Sequence, residues 1–193
     1  VVFKKFYILT SIQDKGDTCL SFFIEKREKG YLLYTIARSE KRNAVDYDIM
    51  QGLTEAISLM NDPTMKALVI TGEGDQAFCS GGDLSVFHNL KTEQEGFAML
   101  SRMSNILFEL FMLPKPTIAL LNGVAIGGGC EIATACDFRF AHSSVKAGFV
   151  QGNLAITTGW GGGTMLLERM SSSQALLMLL KAKIYKASEL KDM

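Results

Sequence analysis

The chain has 193 residues, of which 48% are hydrophobic and 21% charged, which predicts a globular domain with a sizeable core rather than a disordered segment. Twenty basic residues balance twenty acidic ones, so no charge surplus favours nucleic acid or an anionic membrane as a partner. No apolar run approaches the roughly 18 residues of a membrane span, and the first ten residues are too weakly patterned for a secretory signal. We therefore expect a cytoplasmic protein.

The four cysteines form no C-x-x-C pair and have no histidine at zinc-binding spacing. Such cysteines are most often small buried hydrophobic residues in a reducing compartment. We expect no metal site and no disulfide framework from Cys19, Cys79, Cys130 and Cys136.

The first third of the chain alternates strand and helix patterns. Residues 19–25 and 31–37 are rich in strand-forming residues and are joined by a polar segment at 26–30, which predicts a hairpin. Apolar residues recur at helical spacing through residues 46–60, and residues 66–71 form a short buried strand.

The rest of the chain continues this alternation. Residues 92–113 predict a long helix that ends before Pro114 and Pro116, and residues 117–125 predict one continuous buried strand. A short strand and two helices are then predicted at 137–141, 164–169 and 173–180. Strands that alternate with helices indicate an α/β architecture.

Two glycine turns follow buried strands, one at Gly81-Gly82 and one at Gly127-Gly128-Gly129. Both turns could present backbone N–H groups at the same end of a sheet, with the carboxylate of Glu131 one helical turn beyond the second. Such a set is suited to holding an oxyanion and moving a proton. The alternatives are tight turns for close packing, and an acid that meets the positive end of a helix dipole.

Other glycine and nucleophile motifs are incomplete. The glycine triplet does not complete G-x-G-x-x-G, because Ile132 occupies the final position, and no G-K-[ST] of a P-loop exists. No G-x-S-x-G is present, and His88 and His142 have no recognisable Ser or Cys partner. Dinucleotide binding, nucleotide binding and serine-hydrolase chemistry are therefore disfavoured.

Three ordered segments carry a family resemblance: Lys-Arg-Asn-Ala-Val at 41–45, Ala-Phe-Cys-Ser-Gly-Gly-Asp-Leu at 77–84, and Asn-Gly-Val-Ala-Ile-Gly-Gly-Gly-Cys-Glu at 122–131. Together they resemble the enoyl-CoA hydratase/isomerase (crotonase) superfamily, from about residue 25 onward. The resemblance implies an α/β fold that is a spiral of ββα units and acts on an acyl-CoA. Coenzyme A would arrive as part of the substrate, with no separate cofactor.

The resemblance also implies roles for individual residues. The N–H groups of Gly82 and Gly128 would hold the thioester oxygen, with Glu131 as acid or base. Trp160 would wall the acyl pocket or, alternatively, pack under a glycine turn. Arg42 would meet a phosphate or remain a solvated loop residue. The segments expected along coenzyme A contain Arg42, Ala44, Ser80, Gly81, Asp83 and Leu84.

The chain departs from the hydratase pattern where a second glutamate is expected. Gln151, Gly152 or Asn153 occupies that position, and an amide cannot act as a general base. Gln151 and Asn153 could instead hold a carboxylate or a water, or satisfy loop backbone groups. Further details, in segments 80–84, 135–139 and 160–163, resemble the methylmalonyl/ethylmalonyl-CoA decarboxylase branch.

Decarboxylation of a short malonyl-CoA derivative is therefore narrowly favoured over hydration of an enoyl-CoA with Glu131 as sole matched carboxylate. Isomerisation ranks third, and a non-catalytic acyl-CoA-binding protein is the alternative of another class. We expect a crotonase core at 1–170 and the start of a C-terminal helical region at 171–193, which family members continue. The start on Val1 suggests a trimmed or partial chain, and a full-length chain would form a homotrimer or a dimer of trimers.

Overall fold

A computed structural model describes residues 20–193 of the chain. Nine strands and seven α-helices lie in this range, with short 3-10 helices at Ser39–Lys41 and Gln151–Leu154. The strands are β1 Phe22–Arg27, β2 Tyr31–Ile36, β3 Ala67–Gly72, β4 Ala77–Cys79, β5 Thr117–Leu121, β6 Val124–Ile126, β7 Phe138–Ala141, β8 Lys146–Gly148 and β9 Tyr185–Lys186. The helices are α1 Tyr47–Leu59, α2 Leu84–Phe87, α3 Glu93–Phe111, α4 Gly128–Ala135, α5 Gly162–Arg169, α6 Ser172–Lys181 and α7 Ala187–Lys191.

The first sheet has five strands in the order β1-β2-β3-β5-β7. Strands β1 and β2 pair in antiparallel fashion, which confirms the predicted hairpin, although Cys19 lies outside the described residues. Strands β2, β3, β5 and β7 run parallel, and α1 packs against α3. Leu53 of α1 and Leu107 of α3 are both fully buried. The predicted helices and the strand at 66–71 are confirmed, with ends shifted by one or two residues.

The prediction of one strand over residues 117–125 is wrong. Strand β5 ends at Leu121 and β6 begins at Val124, and the two strands belong to different sheets. The side chain of Asn122 accepts a hydrogen bond from Gly72 N (3.1 Å) and donates one to Gly74 O (2.8 Å). At Gly123 a Cβ atom would lie 2.5 Å from Ala77 N, so only glycine allows the chain to cross there.

The second sheet, in the order β4-β6-β8-β9, positions the two glycine turns. Strands β4 and β6 are parallel neighbours, so their carboxyl ends lie at the same edge of the sheet. One glycine turn follows each of these strands, which confirms the expectation that both lie at the same end of a sheet.

The C-terminal segment of the described range contains α6, β9 and α7. Helix α6 contacts α5, and β9 pairs with β8. The proposed boundary at residue 170 stays a prediction. Within residues 20–193, no helix is both long and apolar enough to cross a bilayer.

Candidate active site

The turn after β4 orients the amide of Gly82. Gly81 has a φ of 97°, and its carbonyl oxygen accepts a hydrogen bond from Val45 N (2.8 Å). Asp83 N in turn donates to Val45 O (2.8 Å). Because a trans peptide places its C=O and N–H on opposite sides, the N–H of Gly82 points away from Val45.

The turn after β6 supplies the second amide. Gly127, with a φ of 55°, is the N-cap of α4, and its carbonyl oxygen accepts hydrogen bonds from Cys130 N (3.0 Å) and Glu131 N (3.2 Å). The N–H of Gly128 is therefore one of the first amides of the helix, which have no partner within it.

The two glycine turns touch each other. A Cβ atom on Gly81 would lie 3.2 Å from Gly128 N, so the amides of Gly82 and Gly128 lie close to each other. Among residues 20–193 neither amide has a protein acceptor within hydrogen-bonding geometry. Two adjacent, unpartnered N–H groups can bind one anionic oxygen.

Trp160 packs on both glycine turns. Its side chain is buried, a Cβ on Gly128 would overlap the indole ring, and a Cβ on Gly82 would lie 3.5 Å from Cζ2 of that ring. Glycine at position 128 is thus needed to leave room for the indole. Packing against the turns was one of the two expected roles of Trp160; its role as a pocket wall stays a prediction.

Glu131 is almost fully buried, with 2% of its surface exposed, and its carboxylate accepts three hydrogen bonds. Oε2 accepts from Trp160 N and Gly162 N, both at 2.9 Å, and Oε1 accepts from Gln151 Nε2 at 3.0 Å. Burial raises the pKa of Glu131 above its ordinary value, although these hydrogen bonds act in the opposite direction. A buried carboxyl group with a raised pKa is suited to holding a proton and releasing it.

The two amide side chains near the expected second glutamate have different partners. Gln151 faces Glu131, and its own Oε1 is buried without a hydrogen-bond partner in the described part of the chain. Asn153 donates to Ala182 O (2.8 Å), at the C-cap of α6, and does not take part in the contact with Glu131. The structure therefore sets Gln151 opposite the carboxylate.

The segments expected along coenzyme A lie side by side. Ser80 N donates to Arg42 O (3.1 Å), and an isolated parallel bridge joins Val45 to Gly82. Arg42 is exposed with a left-handed φ of 52°, Ala44 is buried, and Leu84 is 77% exposed. Their role in binding coenzyme A stays a prediction.

Two buried residues near these segments were missed by the sequence analysis. Arg38 bonds Ala44 O (2.6 Å) and the carboxylate of Asp83 (2.7 Å). Asn43, with a φ of 56°, accepts from Arg38 N (3.0 Å) and donates to Ala77 O (2.7 Å). The left-handed asparagine is a recognisable turn signal, but no local pattern marks Arg38.

Asp83 is a buried ion-pair partner that follows Gly82 directly. Burial by itself raises the pKa of Asp83, but hydrogen bonds from Ser85, Arg38 and Lys41 outweigh it and hold the pKa well below the usual range. Asp83 also caps α2 by accepting from Ser85 N (2.9 Å). It is therefore ionised at neutral pH and tied to the protein on all sides.

Three cysteines are buried free thiols, as expected, while Cys19 lies outside the described residues. Burial raises the pKa of each thiol to about 12, so none is a nucleophile at neutral pH: Cys79, Cys130 and Cys136. No group of His, Cys, Asp and Glu side chains that could hold a metal ion occurs in residues 20–193.

Comparison with known proteins agrees with this geometry. Residues 26–193 match the family model described as enoyl-CoA hydratase/isomerase, and the chain belongs to this family. It is 37% identical to the crotonyl-CoA hydratase of Syntrophomonas wolfei over 171 residues, which cover 88% of this chain and 65% of that protein. It is 36% identical to the ethylmalonyl-CoA decarboxylase of Gallus gallus over 163 residues, which cover 84% of this chain and 54% of that protein.

Solved structures show the same fold. An enoyl-CoA hydratase from Bacillus anthracis matches with a TM-score of 0.84 and 26% identity, covering 89% of this chain and 67% of that one. This match confirms the crotonase-type α/β fold that the three sequence segments implied. The chain spans 65% of the length of the crotonyl-CoA hydratase and 54% of the length of the ethylmalonyl-CoA decarboxylase named above.

Proposed function

We propose that the protein is an acyl-CoA lyase that decarboxylates a short malonyl-CoA derivative through a thioester enolate. One observation carries this proposal: the buried carboxyl group of Glu131, next to two unpartnered glycine amides, faces the amide of Gln151 and not a second carboxylate. Addition of water by two carboxylates lacks one of its groups here, whereas decarboxylation needs only an oxyanion site and one proton donor.

In the proposed reaction, the bond between the α-carbon and the carboxylate breaks and CO2 leaves. The electron pair of that bond is delocalised onto the thioester oxygen, which accepts hydrogen bonds from Gly82 N and Gly128 N. Each such donor contributes about 3 kcal/mol where water is excluded. Because the amides are neutral and already oriented, they stabilise the enolate more than the neutral thioester.

Glu131 completes the reaction by protonating the α-carbon. The raised pKa that burial gives its carboxyl group favours the protonated form, which does not repel the carboxylate of the substrate. The proton transferred to carbon yields the acyl-CoA product, and solvent returns a proton to Glu131. No metal or redox group takes part, and coenzyme A enters as part of the substrate.

Hydration of an enoyl-CoA is the second candidate. The identity of 37% to a protein named crotonyl-CoA hydratase favours it, with Glu131 as the only matched carboxylate. A protein that binds acyl-CoA without turnover is the alternative of another class, and the missing second carboxylate favours it. A homotrimer or dimer of trimers in the cytoplasm, formed by a full-length chain, belongs to the same proposal, and the mass of that protein in solution tests the assembly.

The experiment is incubation of the purified protein with methylmalonyl-CoA, ethylmalonyl-CoA and crotonyl-CoA in parallel. Release of CO2 with formation of the shortened acyl-CoA is the expected result. Formation of a hydroxyacyl-CoA alone would support hydration and overturn the decarboxylase proposal. Binding of all three without any product would identify an acyl-CoA-binding protein.

A further inference from the structure

Arg38 is a buried arginine just after β2, with 7% of its surface exposed. Its Nη1 donates to Ala44 O (2.6 Å), and its Nη2 donates to the carboxylate of Asp83 (2.7 Å) and forms an ion pair with the carboxylate of Asp46 (3.1 Å). A buried guanidinium is costly unless it is paired and hydrogen-bonded, and here one side chain has all three partners. Its fork geometry is what allows one residue to hold several acceptors.

These three partners flank Val45, which orients the Gly82 amide, and Gly82 itself. Ala44 and Asp46 lie on either side of Val45, which bonds both Gly81 O and Asp83 N. Asp83 is the residue directly after Gly82. Arg38 thus clamps both neighbours of Val45 and one neighbour of Gly82 at the same time.

Further contacts hold both carboxylates that pair with Arg38. Lys41 Nζ lies 3.0 Å from the Asp83 carboxylate, and Asp46 accepts hydrogen bonds from Asp48 N and Ile49 N as the N-cap of α1. The clamp is therefore anchored to α1 through Asp46 and to α2 through Asp83, its N-cap. Movement of the guanidinium would shift the Gly81–Gly82 peptide relative to Gly128.

We propose that Arg38 is a positioning residue that fixes the direction of the Gly82 N–H and so sets the strength of the oxyanion site. This inference rests on the proposed function of that site. A donor amide stabilises an enolate only if it is oriented before the charge develops, and a displacement of about 1 Å can cost about 100-fold in rate. Arg38 makes no contact with either amide, so it acts only through Val45 and Asp83.

The test compares Arg38→Lys and Arg38→Met with the unchanged protein. Lysine keeps the positive charge, but its donors lie on one nitrogen and do not reproduce the planar fork that reaches Ala44 O and both carboxylates, whereas methionine removes every contact. The readout is the infrared carbonyl band of a bound butyryl-CoA that carries carbon-13 at the thioester carbon. This thioester has no carboxylate to lose, so the band reports polarisation by the oxyanion site without turnover.

Arg169→Met is the matched control. Arg169 also pairs with an aspartate, Asp137 (3.3 Å), and bonds a helix carbonyl, Thr134 O, but none of its contacts reaches a glycine turn. Loss of an arginine ion pair alone should therefore leave the frequency of the bound carbonyl band the same as in the unchanged protein. Thermal unfolding of all variants separates loss of fold from loss of positioning.

We expect the carbonyl band of the bound thioester to move to lower frequency in the unchanged protein and in Arg169→Met. In Arg38→Lys the shift should shrink and kcat should fall by about 10- to 100-fold, with little change in KM. An unchanged shift and kcat in folded Arg38→Lys would overturn the inference, whether or not Arg38→Met folds. A wild-type protein that binds the thioester without any shift would overturn the proposed oxyanion site itself, and this inference with it.

Discussion

The side-chain amide of Gln151 donates to Oε1 of Glu131 over 3.0 Å, and its own carbonyl oxygen is left buried without a partner in the described range. An ionised Glu131 holds the amide in this orientation, because the opposite orientation would bring two acceptor oxygens together. A protonated Glu131, or a glutamine at this position, could donate to the Gln151 oxygen instead. The pair therefore tolerates both charge states of residue 131.

Replacing this amide with a carboxylate should shift the reaction toward hydration. In Gln151→Glu, two carboxyl groups share one proton near the acyl group, and one of them can act as a general base on water. A well-placed base contributes about 10²- to 10⁴-fold, so we expect a gain of at least about 10-fold in crotonyl-CoA hydration. Decarboxylation should decrease, since the pair of carboxyl groups then carries a negative charge that repels the substrate carboxylate.

Asn153→Asp is the control for this change. Asn153 bonds Ala182 O and not Glu131, so a new carboxylate there should leave hydration unchanged. Rates of hydroxyacyl-CoA formation and of CO2 release for both variants provide the measurement. Equal hydration by Gln151→Glu and the unchanged protein would show that a missing base is not what limits this reaction.

Glu131→Gln should abolish most turnover without unfolding the site. The new amide can still accept from Trp160 N and Gly162 N, and its NH2 group can donate to the free oxygen of a rotated Gln151. Loss of the proton donor should lower kcat by about 10²- to 10⁴-fold, with KM nearly unchanged. Steady-state kinetics would contradict the role of Glu131 if kcat stayed within about 2-fold, well below the range expected for an acid or base.

The same variant should change how stability depends on pH. The pKa of Glu131 is raised above 4.5 by burial, so ionisation is less favourable in the folded protein than in the unfolded chain. The stability that its protonated form contributes is fully present below pH 4.5 and is lost as pH rises through the raised pKa. Relative to wild type, Glu131→Gln should therefore gain stability from pH 4.5 up toward neutrality, as urea unfolding at a series of pH values would measure.

In the same experiment, the stability of Asp83→Asn relative to wild type should change with pH in the opposite direction. The pKa of Asp83 is lowered in the folded protein, so its contribution is present above the unfolded value and is lost as pH falls. The deficit of Asp83→Asn relative to wild type should therefore shrink in acid, while the relative gain of Glu131→Gln appears at higher pH. Profiles with the same slope for the two variants would contradict one of the two assignments, and the sign of that slope would show which one.

Local periodicity predicted most of the elements, but not where the chain changes sheets. The helical spacing in residues 46–60 and the apolar run at 66–71 are local signals. Burial of these apolar side chains stabilises the same elements, so α1 and β3 form where they were expected. The run at 117–125 is equally apolar, yet it is interrupted at Asn122, whose side chain bonds the loop after β3. The Asn122-Gly123 pair is a local turn signal, but the contact that carries the chain into the second sheet spans 48 residues and has no local pattern.

The candidate site shows the same division between local and distant signals. Glycine turns and Glu131 could be singled out because they stand out against apolar neighbours. Arg38 could not, because its partner Asp83 lies 45 residues away and one arginine after a strand has no distinctive spacing. The opposition of Gln151 to Glu131 depends equally on how the loop after β8 folds back over α4.

The contact between Gly128 and Trp160 gives a direct test of how the second turn is packed. In Gly128→Ala the new Cβ would overlap the indole ring, so Trp160 must move and the hydrogen bond from its backbone N–H to Glu131 is disturbed. Overpacking of this kind costs about 1–3 kcal/mol, and loss of the donor geometry should reduce kcat by about 10²- to 10³-fold. Trp160 is the only tryptophan, so its fluorescence spectrum reports the displacement.

Gly96→Ala is the matched control for that substitution. Gly96 lies in α3, and a Cβ there would have no heavy atom within 4 Å, so the change should stabilise the protein by up to about 1 kcal/mol through helix propensity. Its tryptophan spectrum and kcat should match those of the unchanged protein. If Gly128→Ala behaved like Gly96→Ala in urea unfolding, fluorescence and kinetics, the indole would not pack on the second glycine turn, and position 128 would not require glycine.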